Sequence, residues 1–214
     1  MGWVPPPTWI SFFPTSEKTL KTGLNCLMRI AILFYGHLRS FRQTRDSYKK
    51  FLADLNRLGK VDVFCHTWDT EESVTASWWK DKESVRDQPV FTNEEEVRNI
   101  YEPCLLNIEK TKQFTEPEIP VPSTIPVAGI LSMLHSQWEA FQLVKRYEDQ
   151  QGFRYDLVIK TRYDLLYELA PSFTAEMKKA AALDVLLLPT SNPYELVGSY
   201  SDVLAAGPRG LMGE

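Results

Sequence analysis

A chain of 214 residues that is 43% hydrophobic and 24% charged has the make-up of one globular domain, or of one domain with an appendage. That excludes a disordered tail, a collagen-like repeat and a disulfide-dense mini-protein. The 28 acidic and 24 basic residues give a formal net charge of −4, which argues against a protein that wraps duplex nucleic acid, although a local basic cluster can still hold a small anion.

The first 27 residues carry Pro5, Pro6 and Pro7 and lack the periodicity of a helix or strand. They read as a loosely held extension, residues 1–27. They do not read as a secretory signal, because the prolines and Ser16-Glu17-Lys18 interrupt the apolar stretch. The domain is expected to span residues 28–214. It opens on a strand, Arg29-Ile30-Ala31-Ile32-Leu33-Phe34-Tyr35, the longest apolar run and far short of the roughly 18–20 residues of a membrane span. Ser40 followed three positions later by Gln43 reads as a capping box. Phe41, Tyr48, Phe51, Leu55 and Leu58 then recur at helical spacing, and Gly59 is placed to end the helix. Val61-Asp62-Val63-Phe64-Cys65 is a second strand, completing a strand–helix–strand unit expected to be parallel and right-handed.

Residues 69–127 read as polar and irregular, with a short helix around Asn93 to Tyr101 and a proline-rich, extended end. A long helix is expected from about Gly129 to Asp149, with Ile130, Leu134, Trp138, Phe141 and Val144 as its buried face. Tyr155 to Lys160 is a third strand, followed by a helix near Thr174 to Leu183 and a strand at Asp184 to Leu188. Leu196 to Glu214 reads as a strand, a turn and the start of a helix, and the expectation is a fragment whose last layer is missing. Strands alternating with helices predict an α/β fold with a mainly parallel sheet covered on both faces. Cys26, Cys65 and Cys104 are an odd, widely spaced set without zinc-ligand spacing, so free thiols and a reducing, cytoplasmic setting are expected.

In such sheets ligands collect beyond the carboxyl ends of the strands. Three places qualify. Gly36-His37-Leu38-Arg39 pairs a glycine turn and a helix N-terminus with Arg39 and Arg42, which suits a diphosphate or a tight turn with solvated arginines. Lys160-Thr161-Arg162-Tyr163-Asp164 puts Lys160, Arg162 and Asp164 on one side of a strand. Asp164 there is available to a metal ion or sugar hydroxyl, or forms a structural salt bridge with Arg162. Cys65-His66-Thr67-Trp68-Asp69 offers Trp68 as a stacking ring or as core, and Asp69 to a ribose hydroxyl. His66 and His135 lie far apart without ligand spacing. No G-x-S-x-G, H-E-x-x-H, Walker or G-x-G-x-x-G pattern occurs.

As an ordered set, Arg29 to Phe41, Val61 to Trp68, Ser132-Met133, Tyr155 to Asp164, and Asp202 with Gly207 ahead of Leu211-Met212 resemble a group of glycosyltransferases of microbes and large viruses, often encoded in surface-glycan gene clusters. The resemblance runs from about residue 29 to the end. It implies a GT-A-like, Rossmann-like fold that binds a nucleotide sugar. It implies Gly36 and Arg39 at the diphosphate, and Arg162 and Asp164 in place of the metal-binding Asp-x-Asp of other GT-A enzymes, with Mn2+ or Mg2+ at Asp164. The first position is arginine here, and a guanidinium can neutralise phosphate directly. Asp202 would position the acceptor or act as base. The expected partners are a nucleotide-sugar donor and a glycan or other hydroxyl acceptor, with no nucleic acid. The alternatives are a non-catalytic nucleotide-sugar-binding module and a nucleotidyltransferase.

Overall fold

The computed structural model describes residues 9–12, 27–72, 88–115, 127–167, 171–189 and 204–213. In chain order the described elements are β1 (Trp9–Phe12), β2 (Met28–Tyr35), α1 (Phe41–Asn56), β3 (Gly59–Trp68), α2 (Glu94–Tyr101), β4 (Leu105–Glu109) and α3 (Val127–Gln151). They continue with β5 (Leu157–Arg162), α4 (Phe173–Leu183), β6 (Leu186–Pro189), β7 (Leu204–Pro208) and α5 (Arg209–Met212). The described strands form one seven-stranded sheet in the order β1-β6-β7-β5-β2-β3-β4. β5, β2, β3 and β4 are parallel neighbours. β7 runs antiparallel between β5 and β6, and β1 is antiparallel to β6. The fold is therefore α/β, with a mostly parallel mixed sheet.

β2 is central because it can be buried on both faces. Ile30, Ile32 and Phe34 point to a cluster with α1, α2 and α4, and Ala31, Leu33 and Tyr35 to a second cluster with α3. A near-continuous apolar run is what a parallel strand covered on both sides requires. α1 closes the first face through Phe41, Tyr48, Phe51 and Leu55, and Tyr48 packs edge-on against Phe34 with centroids 5.3 Å apart. α2 starts where Asn93 caps it, its side chain accepting from the Glu96 N–H at 3.2 Å.

Five expectations need correction. Ser40 makes no side-chain capping bond. Its backbone lies at φ −87°, ψ 22°, outside the extended geometry that aims an N-cap hydroxyl at the first turn. Gly59 does not end α1; it begins β3, where a Cβ would stand 1.8 Å from the Met28 carbonyl oxygen, so the close approach of β2 demands glycine. Residues 69–127 are not wholly irregular, because Leu105–Glu109 adds β4 beside Phe64–Trp68 of β3. The first 27 residues contain a strand, β1 on the edge of the sheet. Finally, α3 buries Ser136, Ala140, Leu143, Val144 and Glu148, while Leu134 and Trp138 are 50% and 57% exposed. The helix is turned so that two polar side chains, not two large apolar ones, meet the sheet.

Candidate functional site

The chain leaves β2 through α1 to β3 and on to β4 on one flank, then crosses the opposite face by α3 to return to β5 on the other flank of β2. The order thus reverses between β2 and β5, and the carboxyl ends flanking such a reversal form a natural crevice. Tyr35 pairs with Arg162 across that seam, so the turns that follow the two strands are neighbours.

The turn after β2 takes left-handed backbone twice, at Gly36 (φ 93°) and at Arg39 (φ 49°), and the second is a strained position for a residue with a Cβ. It is held by hydrogen bonds. The Gly36 N–H donates to Ser136 Oγ at 2.7 Å, His37 Nδ1 to the Thr70 carbonyl at 3.0 Å, and the Arg39 N–H to the Glu71 carbonyl at 2.8 Å. The Gly36 and Arg39 amides of this turn are therefore already bonded within the chain. Burial lowers the pKa of His37, with Arg39 adding to the effect and the Thr70 bond opposing it, so the ring is biased to neutrality.

The turn after β5 is anchored from three sides. The Tyr163 ring stacks on Phe34 at 5.2 Å, its hydroxyl donates to the His66 carbonyl at 3.1 Å, and its own carbonyl accepts from Thr44 Oγ1 at 2.8 Å. That fixes Asp164 between two guanidinium groups. Arg39 Nη1 donates to Asp164 Oδ2 at 3.0 Å, and Arg162 grips both carboxylate oxygens through Nε and Nη2. Burial works to raise the Asp164 pKa, but the two arginines outweigh it and hold the carboxyl below its ordinary value. Two guanidinium groups thus converge on one carboxylate. Arg42 is not part of this cluster, because Glu71 and Glu96 bind it on the other side of the turn. Lys160 lies on the α3 side, donating to Gln137 Oε1 at 3.1 Å.

The third candidate segment belongs to β3 rather than to the loop after it. Trp68 is 1% exposed, stacked on His135 at 5.7 Å and set edge-on to His66 at 5.4 Å, so in this arrangement it is core. Asp69 Oδ1 accepts from the Thr111 N–H and hydroxyl at 2.8 and 2.9 Å, which ties the end of β4 to the end of β3.

Beside these lies a cluster that the spacing of residues along the chain conceals. His66 from β3, Glu109 from β4 and His135 from α3 bring their ligand atoms within 4.8 Å of one another. Glu109 Oε2 lies 3.2 Å from His66 Nε2 and 2.8 Å from His135 Nε2. Lys112 pairs with the other Glu109 oxygen. Burial pushes the His66 pKa down to about 4. Glu109 is held down at about 2: burial opposes this, and Lys112, His135 and His66 together prevail. His66 Nδ1 meets Ser136 Oγ at 2.7 Å, the hydroxyl that also receives the Gly36 N–H.

The structure therefore brings Gly36, His37, Arg39, Arg162 and Asp164 to one seam, with Trp68 and Asp69 serving as supports beside it. Asp202 lies outside the described residues. No known family model, curated protein or solved structure matches the chain.

Proposed function

We propose that the chain is a GT-A-type glycosyltransferase, moving a sugar from a nucleoside-diphosphate donor to the hydroxyl of a glycan or other acceptor. The observation that carries this reading is the Arg39–Asp164–Arg162 cluster at the seam between β2 and β5. In the transfer, the bond from the anomeric carbon to a diphosphate oxygen breaks, and the leaving nucleoside diphosphate gains negative charge. Guanidinium groups carry five donors in a rigid fork and bind phosphate and carboxylate alike. Set in place by Asp164 before the donor arrives, they stabilise that charge with little reorganisation. Asp164 is then a positioning residue. With its pKa lowered by two arginines it is a poor general base, so the base that an inverting reaction needs belongs elsewhere.

Mn2+ or Mg2+ does not fit at Asp164. Such ions take several oxygen ligands, including one or two carboxylates, and this single carboxylate has both oxygens engaged by cations. Leaving-group stabilisation is therefore assigned to the arginines, and no step runs through a metal at this place.

Calorimetric titration with UDP, GDP and their sugars, with and without Mn2+, tests the reading. At least one nucleoside diphosphate should bind, and Arg162→Ala should weaken it about 10- to 100-fold, as expected for losing a charged hydrogen bond of about 1.5–3 kcal/mol. Absence of binding by every nucleotide, or indifference to Arg162→Ala, rejects it. Release of pyrophosphate during turnover would assign nucleotidyl transfer instead, and binding without transfer or donor hydrolysis would assign a binding module.

A further inference from the structure

We infer that His66, Glu109 and His135 form a binding site for one divalent transition-metal ion of the Zn2+ class, and that Lys112 is the displaceable cation holding these ligands together in its absence. The site is separate from the arginine cluster, and nothing in it depends on the donor.

Geometry comes first. The three side chains arise from β3, β4 and α3, and all present their terminal atoms to one point. Trp68 of β3 is the register partner of Glu109 in β4, which places Glu109 two residues beyond His66 on the same face of the ladder. α3 crosses this face and supplies His135. A tetrahedral ion with bonds of 2.0–2.1 Å separates neighbouring ligands by about 3.3 Å. Glu109 Oε2 already stands 3.2 and 2.8 Å from the two imidazole nitrogens, so a small opening of the cluster admits the ion.

The surroundings fit the same purpose. An imidazole that ligates a metal usually has its second nitrogen held by a partner that orients the ring, and Ser136 Oγ does this for His66 at 2.7 Å. Trp68 stacks on His135 and meets His66 edge-on, limiting the motion of both rings. Two imidazoles with one carboxylate suit a borderline ion such as Zn2+ and disfavour Mg2+ or Ca2+, which select all-oxygen sites. Three protein ligands leave a fourth position. A cation already occupies this neighbourhood: Lys112 Nζ pairs with Glu109 Oε1 and lies 3.3 Å from His135 Nε2. The lysine side chain is 47% exposed and long enough to swing away. Because Ser136 Oγ also receives the Gly36 N–H, an ion here would brace the turn at the head of α1.

The full chain, stripped with EDTA, is titrated with Zn2+, Co2+ and Mg2+ by calorimetry and visible absorption. The expected result is one Zn2+ or Co2+ per chain, the visible bands of low-coordinate Co2+, and no response to Mg2+. His135→Ala should weaken Zn2+ by at least about 100-fold, exceeding the loss typical of outer-shell partners. Lys112→Met should tighten it by about 10-fold, a gain of about 1.4 kcal/mol from removing the competing ammonium. Both variants are checked for an unchanged circular dichroism spectrum. Four results overturn the inference: no Zn2+ binding by the wild-type and Lys112→Met chains, affinity indifferent to His135→Ala, weaker binding in Lys112→Met, or a thiolate-to-cobalt band that places the ion on a cysteine.

Discussion

His37 shows how one side chain in the turn after β2 reports on the folded state. Its ring is half-buried beside Arg39, with Asp69 and Glu72 as opposing charges, and burial sets the direction of its pKa, below the ordinary 6.5. A base whose folded pKa is lowered refuses a proton that the unfolded chain accepts, so its contribution is constant above about pH 6.5 and stability falls as pH drops below it. Asp164 has the same sign in a more acidic window, below its ordinary 3.8. Urea midpoints of the metal-free protein at about pH 7.5 and about pH 5.5 test the histidine, which titrates in this interval. The wild type should lose more stability across it than His37→Gln. The unfolded chain also protonates His66 in this interval while the folded chain does not, but that difference is common to both proteins and cancels in the comparison. Equal losses would show that the His37 ring accepts its proton in the folded chain.

Among the elements, α3 departs most from its expected orientation. Its Leu134 and Trp138 stand outward while Glu148, wholly buried, faces in. The reason is polar satisfaction. Glu148 accepts from the Tyr155 N–H at the entry to β5 and from Arg209 Nε of α5, each at 3.0 Å, and Ser136 serves Gly36 and His66 at the other end of the helix. Apolar spacing alone turns the helix toward Trp138, because these polar partners are distant in sequence and leave no local trace. Glu148→Ala strands a half-buried guanidinium and a buried amide and should cost about 3 kcal/mol, read from urea denaturation. Glu148→Gln keeps an acceptor for Tyr155 and should cost less. Trp138→Ala, on the outward face, should stay within about 0.5 kcal/mol. A larger loss for Trp138→Ala than for Glu148→Ala would mean that the outward face is covered in the folded protein.

For the molecule as a whole, what could be read from the chain and what could not divide along contact range. β2, α1, β3 and β5 were legible because unbroken apolar runs and helical spacing are local patterns. β4 was not: its five residues are all only half-buried, and its identity as a strand comes from pairing with Phe64–Trp68, about forty positions away. β1 depends on a partner strand at the other end of the chain. The arginine cluster was half legible, since Arg162 and Asp164 share a strand face, whereas the grip of Arg39 on Asp164 spans 125 positions. The His66–Glu109–His135 cluster was invisible, because its members come from three elements. Topology makes these separate pieces one site, and hydrogen exchange can test that directly. β2, paired on both sides and covered on both faces, should carry the slowest amides, at Ile30 to Phe34, exchanging only on global opening, while edge strands β1 and β4 exchange sooner. Adding a nucleoside diphosphate should then slow the amides of residues 36–39 and 162–164 and leave β1 and β6 unchanged. Protection confined to β1 and β6 would move the anion site to the antiparallel flank and remove the seam between β2 and β5 from the reaction.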